Sequence, residues 1–136
     1  MPDDWNTKII EEFRANEGRV GGPFEGAPMV LLTTTGARSG RAHTTPLVPL
    51  VEGDRVYVFA SMGGAPKHPA WYFNLRAHPD VTVERGTENY AATAHVVAGE
   101  DRARVFARQV ALRPQFGEYQ QKTKRTIPVI ELRRRA

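Results

Sequence analysis

The chain has 136 residues, of which 40% are hydrophobic and 25% charged, and its formal net charge at pH 7 is +4. This length suits one domain, residues 1–136, and the absence of cysteine excludes a disulfide framework, a thiolate metal site and a cysteine nucleophile. No apolar run reaches the roughly 18 residues that span a bilayer, and the acidic residues near the N-terminus are wrong for a signal peptide, so we expect a cytoplasmic protein.

The first predicted element is a helix over residues 4–16. Trp5, Ile9 and Phe13 recur every four residues and therefore share one face, and Asp3 or Asp4 would cap the helix. We expect this face to pack on the core, with a weak membrane contact through the same three side chains as the alternative. The glycine- and proline-rich residues 18–28 that follow are predicted to form an ordered loop.

Six short stretches have the composition of β-strands: residues 29–34, 47–51, 55–61, 81–85, 90–97 and 127–132. Gly53 and Gly86 mark tight turns between neighbouring stretches, which indicates hairpins and antiparallel pairing. Pro46 and Pro49 cannot donate to a strand ladder, so we expect them at a sheet edge. A chain this short hides the edges of about six strands best by curling them into a barrel.

Further helices are predicted over residues 70–77 and 100–112, followed by a short helical turn that carries Phe116 and Tyr119. The fold class is therefore α+β, mainly β, with helices flanking largely antiparallel strands. The arginine run at residues 133–135 is predicted to be a solvated tail. The buried face of the helix over residues 100–112 is expected to comprise Ala103, Phe106, Ala107 and Val110.

Two glycine-containing stretches carry the candidate chemistry. In residues 33–47, TTTGARSGRAHTTPL, Gly36 and Gly40 bracket Arg38 and Ser39. Exposed backbone N–H groups together with arginine charge suit a phosphate or a carboxylate. A plain hairpin turn with solvated arginines is the alternative interpretation.

The second stretch, residues 61–75, reads SMGGAPKHPAWYFNL. Gly63 and Gly64 allow positive φ and leave no side chain above the backbone, so a flat ligand can approach closely. A strand-to-helix connector with Trp71 in the core is the alternative. A metal site is not expected, because the four histidines lie in separate elements. No serine-hydrolase elbow or Rossmann fingerprint is present either, which favours a planar, phosphorylated cofactor that supplies the reactivity.

The chain resembles the deazaflavin (F420)-dependent nitroreductase family in three stretches, which occur in the order TTTGARSGRAHTTPL, ASMGGAPKHPAWYFNL and HPDVTVERG. The similarity extends over roughly residues 25–132. It implies a split β-barrel oxidoreductase that uses coenzyme F420, an 8-hydroxy-5-deazaflavin, with FMN as the alternative cofactor. The cofactor loops would be residues 36–46 and 61–69.

The resemblance also implies site residues. The phosphate and acidic tail would be bound by Arg38, Ser39 and Gly40, with Thr44, Thr45 and Pro46 along the groove. The deazaflavin ring would be bordered by Ser61, Met62, Gly63, Gly64 and Ala65, with Trp71 supporting the loop. The substrate would contact Phe116 and Tyr119, and Tyr119 would act as proton donor or as a substrate contact only.

The implied reaction is hydride transfer from reduced deazaflavin to a small electron-poor acceptor such as a quinone, a nitroaromatic or an activated alkene. A non-catalytic module that stores or transports a deazaflavin or flavin is the alternative function. No nucleic acid partner is expected, because the basic residues are not gathered into a stripe with interleaved aromatics. The chain is expected to be a monomer or a homodimer.

Overall fold

The computed structural model describes residues 2–21 and 28–135, and for residues 2–5 it describes the backbone alone. Within these residues the elements are α1 (Pro2–Ala15), β1 (Val30–Thr35), β2 (Ala42–Leu47), β3 (Leu50–Glu52), β4 (Arg55–Phe59), a 3₁₀ turn (Met62–Gly64), α2 (Ala70–Ala77), β5 (Asp80–Arg85), β6 (Glu88–Val97), α3 (Gly99–Leu112), α4 (Gln115–Gln121) and β7 (Val129–Arg134).

The strands form one sheet with the order β2-β1-β5-β6-β7-β4-β3. All of its pairings are antiparallel. The two end strands are joined through Val48 and Pro49 alone, so the sheet curls into a split β-barrel, which confirms the predicted fold class. The described sheet has seven strands rather than about six, because the predicted stretch 47–51 is divided between the end of β2 and β3. Pro46 lies on an edge strand, as its missing N–H group requires.

The barrel interior is filled by aliphatic side chains of β1, β4, β5 and β7, and α2 closes it. Trp71 and Leu75 of α2 are buried against Val30, Leu32 and Val58. Burial of one large apolar side chain contributes about 1.5–3 kcal/mol, so this contact holds α2 firmly at the sheet. Position 70 is the first helical residue after Pro69, as the sequence predicted.

The first helix begins at Pro2, so the predicted caps Asp3 and Asp4 lie inside it; their side chains, like that of Trp5, fall outside the described residues. Ile9 and Phe13 are only 7% and 2% exposed and pack in a cluster with Val20, Met29 and Leu31. These two side chains therefore pack on the core and are unavailable for the membrane contact that was the alternative. Residues 22–27 of the predicted glycine-rich loop also lie outside the described part of the chain.

The arginine run at residues 133–135 has exposed side chains but is not a free tail, because Arg133 and Arg134 belong to β7 and pair with β6. Arg134 donates to the Glu88 carboxylate at 2.8 Å and stacks over the ring of Tyr90 at 3.9 Å. The backbone N–H of Arg135 donates to the carbonyl oxygen of Ala91 at 2.9 Å, which continues the β6–β7 ladder. The prediction of a tail was therefore wrong, because the backbone of this run continues the sheet, whereas its side chains are solvated as predicted.

The third helix buries only part of the expected face: Phe106 is buried, and Val110 is partly buried against the same cluster. Val105, Phe106 and Gln109 are buried, whereas Ala103 and Ala107 are exposed. Alanine carries too little apolar surface to decide a helix orientation, so Val105 and Phe106 determine the buried face.

None of the described helices is long and apolar enough to cross a membrane.

Candidate active site

An open groove of about 1270 Å³ lies where β2, α1, α2 and α4 meet two connections of the barrel. These are the β1–β2 turn, residues 36–41, and the β4–α2 loop, residues 60–69. The groove is lined by eleven of the predicted site residues: Arg38, Ser39, Thr44, Thr45, Pro46, Ser61, Met62, Gly63, Trp71, Phe116 and Tyr119. The predicted cofactor loop 36–46 is therefore a short turn followed by an edge strand.

The β1–β2 turn is closed by its own backbone. The N–H of Gly36 donates to the carbonyl of Arg41 at 2.7 Å, and the N–H of Gly40 donates to the carbonyl of Gly36 at 3.0 Å. The hydroxyl of Ser39 accepts the N–H of Arg41 at 3.1 Å, so part of its hydrogen-bonding capacity shapes the turn. A Cβ on Gly36 would collide with that hydroxyl. Within the described residues, Arg38 is exposed and makes no ion pair, so its charge faces solvent at one end of the groove.

Strand β2 supplies one wall of the groove. In the described sheet it pairs with β1 alone, so its other edge carries backbone N–H and C=O groups that no strand satisfies. The hydroxyl of Thr44 bonds that of Thr33 across the strand pair at 2.8 Å, which holds the Thr44 side chain in place. Thr45 and Pro46 follow it along the groove.

The β4–α2 loop has an unusual backbone at three consecutive residues. Met62, Gly63 and Gly64 have φ values of +48°, +63° and +86°. A residue other than glycine in this region costs on the order of 1–3 kcal/mol, and such residues concentrate at functional sites. Met62 is half exposed and lines the groove, and a Cβ on Gly63 would meet no atom within 4 Å. The main chain at Gly63 is therefore bare and open to a ligand.

Three of the predicted coenzyme residues lie outside the groove lining. Gly64 is buried against α4, where an added Cβ would come within 2.7 Å of the carbonyl oxygen of Tyr119. Its missing side chain therefore allows the loop to pack closely on α4. Ala65 ends the 3₁₀ turn, and Gly40 has φ +72° in the β1–β2 turn.

Sequence reasoning missed Arg125, which holds the β4–α2 loop from the segment between α4 and β7. Its guanidinium donates to the carbonyl oxygens of Ala60, Ser61 and Ala65 at 3.0, 2.7 and 2.9 Å. It also lies 3.0 Å from Nδ1 of His68. These partners are 57–65 residues away in the chain, so no local pattern identifies them.

The imidazole of His68, which lies beside Arg125, is uncharged. A guanidinium can only donate, so Nδ1 of His68 accepts and its proton is on Nε2. Burial lowers the pKa of His68 below its usual 6.5, and the charges of Arg125 and Arg76 lower it further. The ring packs on Tyr72 and Phe73, with centroid distances of 4.7 and 5.8 Å.

Asn74 is a second residue that the sequence did not reveal. It is buried on α2, lines the groove and connects two of its walls. Its Oδ1 accepts the N–H of Ala37 at 3.0 Å, and its Nδ2 donates to the hydroxyl of Thr34 at 3.2 Å. The β1–β2 turn is thereby tied to the helix that follows the β4–α2 loop.

The two aromatic residues of α4 differ in what they offer a ligand. Phe116 is 7% exposed, and its ring packs edge-on against Phe59 and Tyr119 at centroid distances of 5.5 and 5.3 Å. Tyr119 is partly exposed, so its phenol is the more accessible of the two. α1 also contributes Asn6, Thr7 and Ile10 to the groove lining, none of which was predicted.

Comparison with known proteins identifies the family. The profile of the family described as F420H(2)-dependent quinone reductase matches residues 5–133. This chain belongs to that family. It is 38% identical over 127 residues to an F420H(2)-dependent quinone reductase of Mycobacterium tuberculosis. The aligned residues cover 90% of this chain and 85% of the relative.

Solved structures agree with this assignment. A structure described as an F420-H2 dependent reductase (FDR-A) is 43% identical, with a TM-score of 0.71, over 77% of this reductase and 93% of that chain. A second, described as a domain-swapped dimer, is 39% identical with a TM-score of 0.73 and covers 97% and 99% of the two chains. The haem storage protein HutZ of Vibrio cholerae, at 17% identity and a TM-score of 0.62, shares the fold.

Family membership confirms the predicted resemblance, the oxidoreductase class and the coenzyme. The chain is an F420H2-dependent reductase in which hydride passes from the reduced deazaflavin to a quinone. The alternative of a storage module is therefore not supported. The roles of the individual groove residues remain predictions.

Proposed function

We propose that this reductase binds F420H2 along the groove, with the ring at Gly63 and the acidic tail at the β1–β2 turn, and reduces a quinone there. One observation carries the proposal: a single groove joins bare main chain at Gly63 to the exposed guanidinium of Arg38, which makes no ion pair with any residue that the structure describes. A flat head with a long anionic tail needs both features.

The groove suits the coenzyme in size as well as in chemistry. Pockets for drug-sized ligands have volumes of roughly 300–1,000 Å³, and this groove has about 1270 Å³. It therefore has room for a coenzyme and a small acceptor side by side. Guanidinium groups bind phosphates and carboxylates through charge-assisted hydrogen bonds, which suits Arg38 to the tail.

When bound, the reduced coenzyme supplies the hydride. The residues of this chain bind and orient it. Gly63 offers a flat surface for the ring, while Arg38 contributes binding energy far from the reacting atoms, which helps to fix the orientation of the ring. Trp71 is buried beneath the groove and keeps the start of α2 in place.

A quinone that accepts a hydride also needs one proton to become a hydroquinone. Tyr119 is our candidate for the group that donates it, because its phenol is the partly exposed hydroxyl of α4 on the groove. Water is the alternative source. Met62 and Phe73, each 51% exposed, supply apolar surface in the groove for a planar acceptor.

Two measurements on the wild-type protein test the proposal. Titration with F420 and with FMN, followed by fluorescence, should show tight binding of F420 and much weaker binding of FMN. Reduced F420 should then be oxidised when benzoquinone or naphthoquinone is added, with a nitroaromatic compound tested in parallel. Tight F420 binding without turnover of any acceptor would instead support a storage module, and absence of F420 binding would reject the groove assignment.

We also propose a homodimeric assembly and a cytoplasmic location. A relative 39% identical over nearly the whole chain is described as a domain-swapped dimer, which favours a homodimer here, and light scattering after size-exclusion chromatography tests it. We place the reaction in the cytoplasm. A membrane contact through Ile9 and Phe13 is not part of the proposal, because both lie in the core.

A further inference from the structure

We propose that Arg125 is a positioning residue that sets the shape of the β4–α2 loop and thereby the surface offered to the deazaflavin ring. The inference rests on the proposed function, because it concerns the same groove. Arg125 lies behind the loop rather than among the residues that line the groove, so it acts through the loop backbone.

One guanidinium reaches both ends of the loop. Nη1 and Nη2 donate to the carbonyl oxygens of Ala60 and Ser61, at the start of the loop, while Nε donates to that of Ala65 after the 3₁₀ turn. A fourth bond joins Nη1 to Nδ1 of His68. The planar group holds its five donors in a fixed fork, so these four acceptors define one arrangement of the loop. A lysine has a single nitrogen and cannot reach both ends at once.

The backbone between these contacts is the part that needs support. Met62 adopts φ +48°, a conformation that persists in a residue other than glycine only where its surroundings enforce it. The carbonyl of Ser61 accepts the N–H of Gly64 at 2.9 Å, which closes the 3₁₀ turn, and it also accepts Nη2 of Arg125 at 2.7 Å. Arg125 therefore holds the turn that presents Gly63 to the groove.

Arg125 also connects this loop to α4. Nε2 of Gln120 donates to the backbone carbonyl of Arg125 at 2.7 Å, and Gln120 adjoins Tyr119, whose carbonyl lies against Gly64. Displacement of the guanidinium would therefore disturb two walls of the groove together. We expect the effect on coenzyme binding to exceed what a general loss of stability would cause.

Arg102 on α3 offers a matched control. It donates through Nε and Nη2 to the carbonyl of Ile127 at 3.2 and 2.8 Å, and through Nη2 to Oε1 of Gln120 at 3.1 Å. Like Arg125, it is partly buried; it bonds the segment in which Arg125 lies and shares Gln120 with it, but within the described residues it makes no hydrogen bond to the β4–α2 loop. Replacement of either arginine by lysine is the same chemical change.

The experiment compares Arg125→Lys with Arg102→Lys. Both variants should unfold at lower temperature than the wild type. Arg125→Lys should raise the Kd for F420, measured by fluorescence titration, about tenfold, because at least one end of the loop is released. Arg102→Lys should raise that Kd less than Arg125→Lys does, because within the described residues Arg102 reaches the loop only indirectly, through the Gln120 side chain that also bonds the backbone of Arg125. In turnover with benzoquinone, the KM for F420H2 should rise with the Kd in Arg125→Lys while kcat falls less.

An unchanged Kd in Arg125→Lys would overturn the role of Arg125, as would an equal rise in both variants at equal loss of stability. Failure of the wild type to bind F420 would reject the proposed function as well, so the two failures are distinguishable. If Arg125→Lys unfolds below the assay temperature, His68→Phe removes one of the four bonds and keeps the aromatic packing. It should raise the Kd about threefold, and an unchanged Kd would then overturn the inference.

Discussion

Substitution of Gly63 by alanine separates the stability of the loop from its proposed contact with the deazaflavin ring. Gly63 has φ +63°, and an added Cβ would project into open space on the groove. Gly53, in the turn between β3 and β4, has φ +62° and equally open surroundings, but it lies away from the groove. The two glycines therefore share one backbone conformation and differ in what their α-carbons face.

Both alanine variants should lose similar stability, since each places a Cβ in the left-handed region at a cost of about 1 kcal/mol. At about 2.1 cal/mol/K per residue, the unfolding entropy of 136 residues is about 0.29 kcal/mol/K. A loss of about 1 kcal/mol therefore lowers the melting temperature by about 3.5 °C in each variant. Differential scanning fluorimetry measures this shift.

Affinity for F420 should distinguish the two variants. A methyl group on Gly63 would occupy the space where we place the ring, and carbon atoms in contact stay about 3.5–4.0 Å apart, so the ring would be displaced from the main chain. We expect a loss of about tenfold or more in affinity, equivalent to about 1.4 kcal/mol, for Gly63→Ala and none for Gly53→Ala. Equal Kd values for Gly63→Ala and wild type would refute the placement of the ring.

Three further predictions follow from the groove. Arg38→Ala should weaken F420 binding about tenfold in a fluorescence titration, because a charge-assisted bond to the tail is lost. Asn74→Ala should lower the free energy of unfolding by about 1–3 kcal/mol in urea denaturation, because the N–H of Ala37 and a buried hydroxyl lose their partner. The free energy of unfolding should fall as the pH drops below 6.5. The pKa of His68 is lower in the folded chain, where Arg125 lies beside the ring, so the unfolded chain binds a proton at a pH at which the folded chain does not.

Each of these has its control. Arg19→Ala removes an exposed arginine outside the groove and should leave the Kd unchanged; equal losses would show that Arg38 acts only through net charge. If Asn74→Ala has the same free energy of unfolding as the wild type, the prediction is wrong and water replaces both hydrogen bonds. The pH effect is read as the difference between wild type and His68→Phe, since acidic groups also titrate at low pH. Parallel curves for the two proteins would contradict the assignment to His68.

Local patterns were enough for most of the fold. Turns at Gly53 and Gly86, the helix behind Pro69 and the hairpin strands were placed within a few residues, because each depends on neighbours in the chain. In the predicted buried face of α3, Phe106 and Val110 were right and Ala103 and Ala107 were wrong. Small side chains do not reveal which face of a helix is buried, and packing against the sheet decides it.

The sequence by itself predicted two glycine turns as the candidate site, since open backbone and arginine charge are local properties of Gly63 and Arg38, and the structure places both beside one groove. Only the tertiary structure decided what holds those turns in place. Arg125 and Asn74 meet partners 37–65 residues away, because the barrel brings distant segments into contact. It also decided that Gly64 packs against α4 rather than lining the groove. A side chain's neighbours across the barrel depend on strand order and register, which no short window of sequence contains.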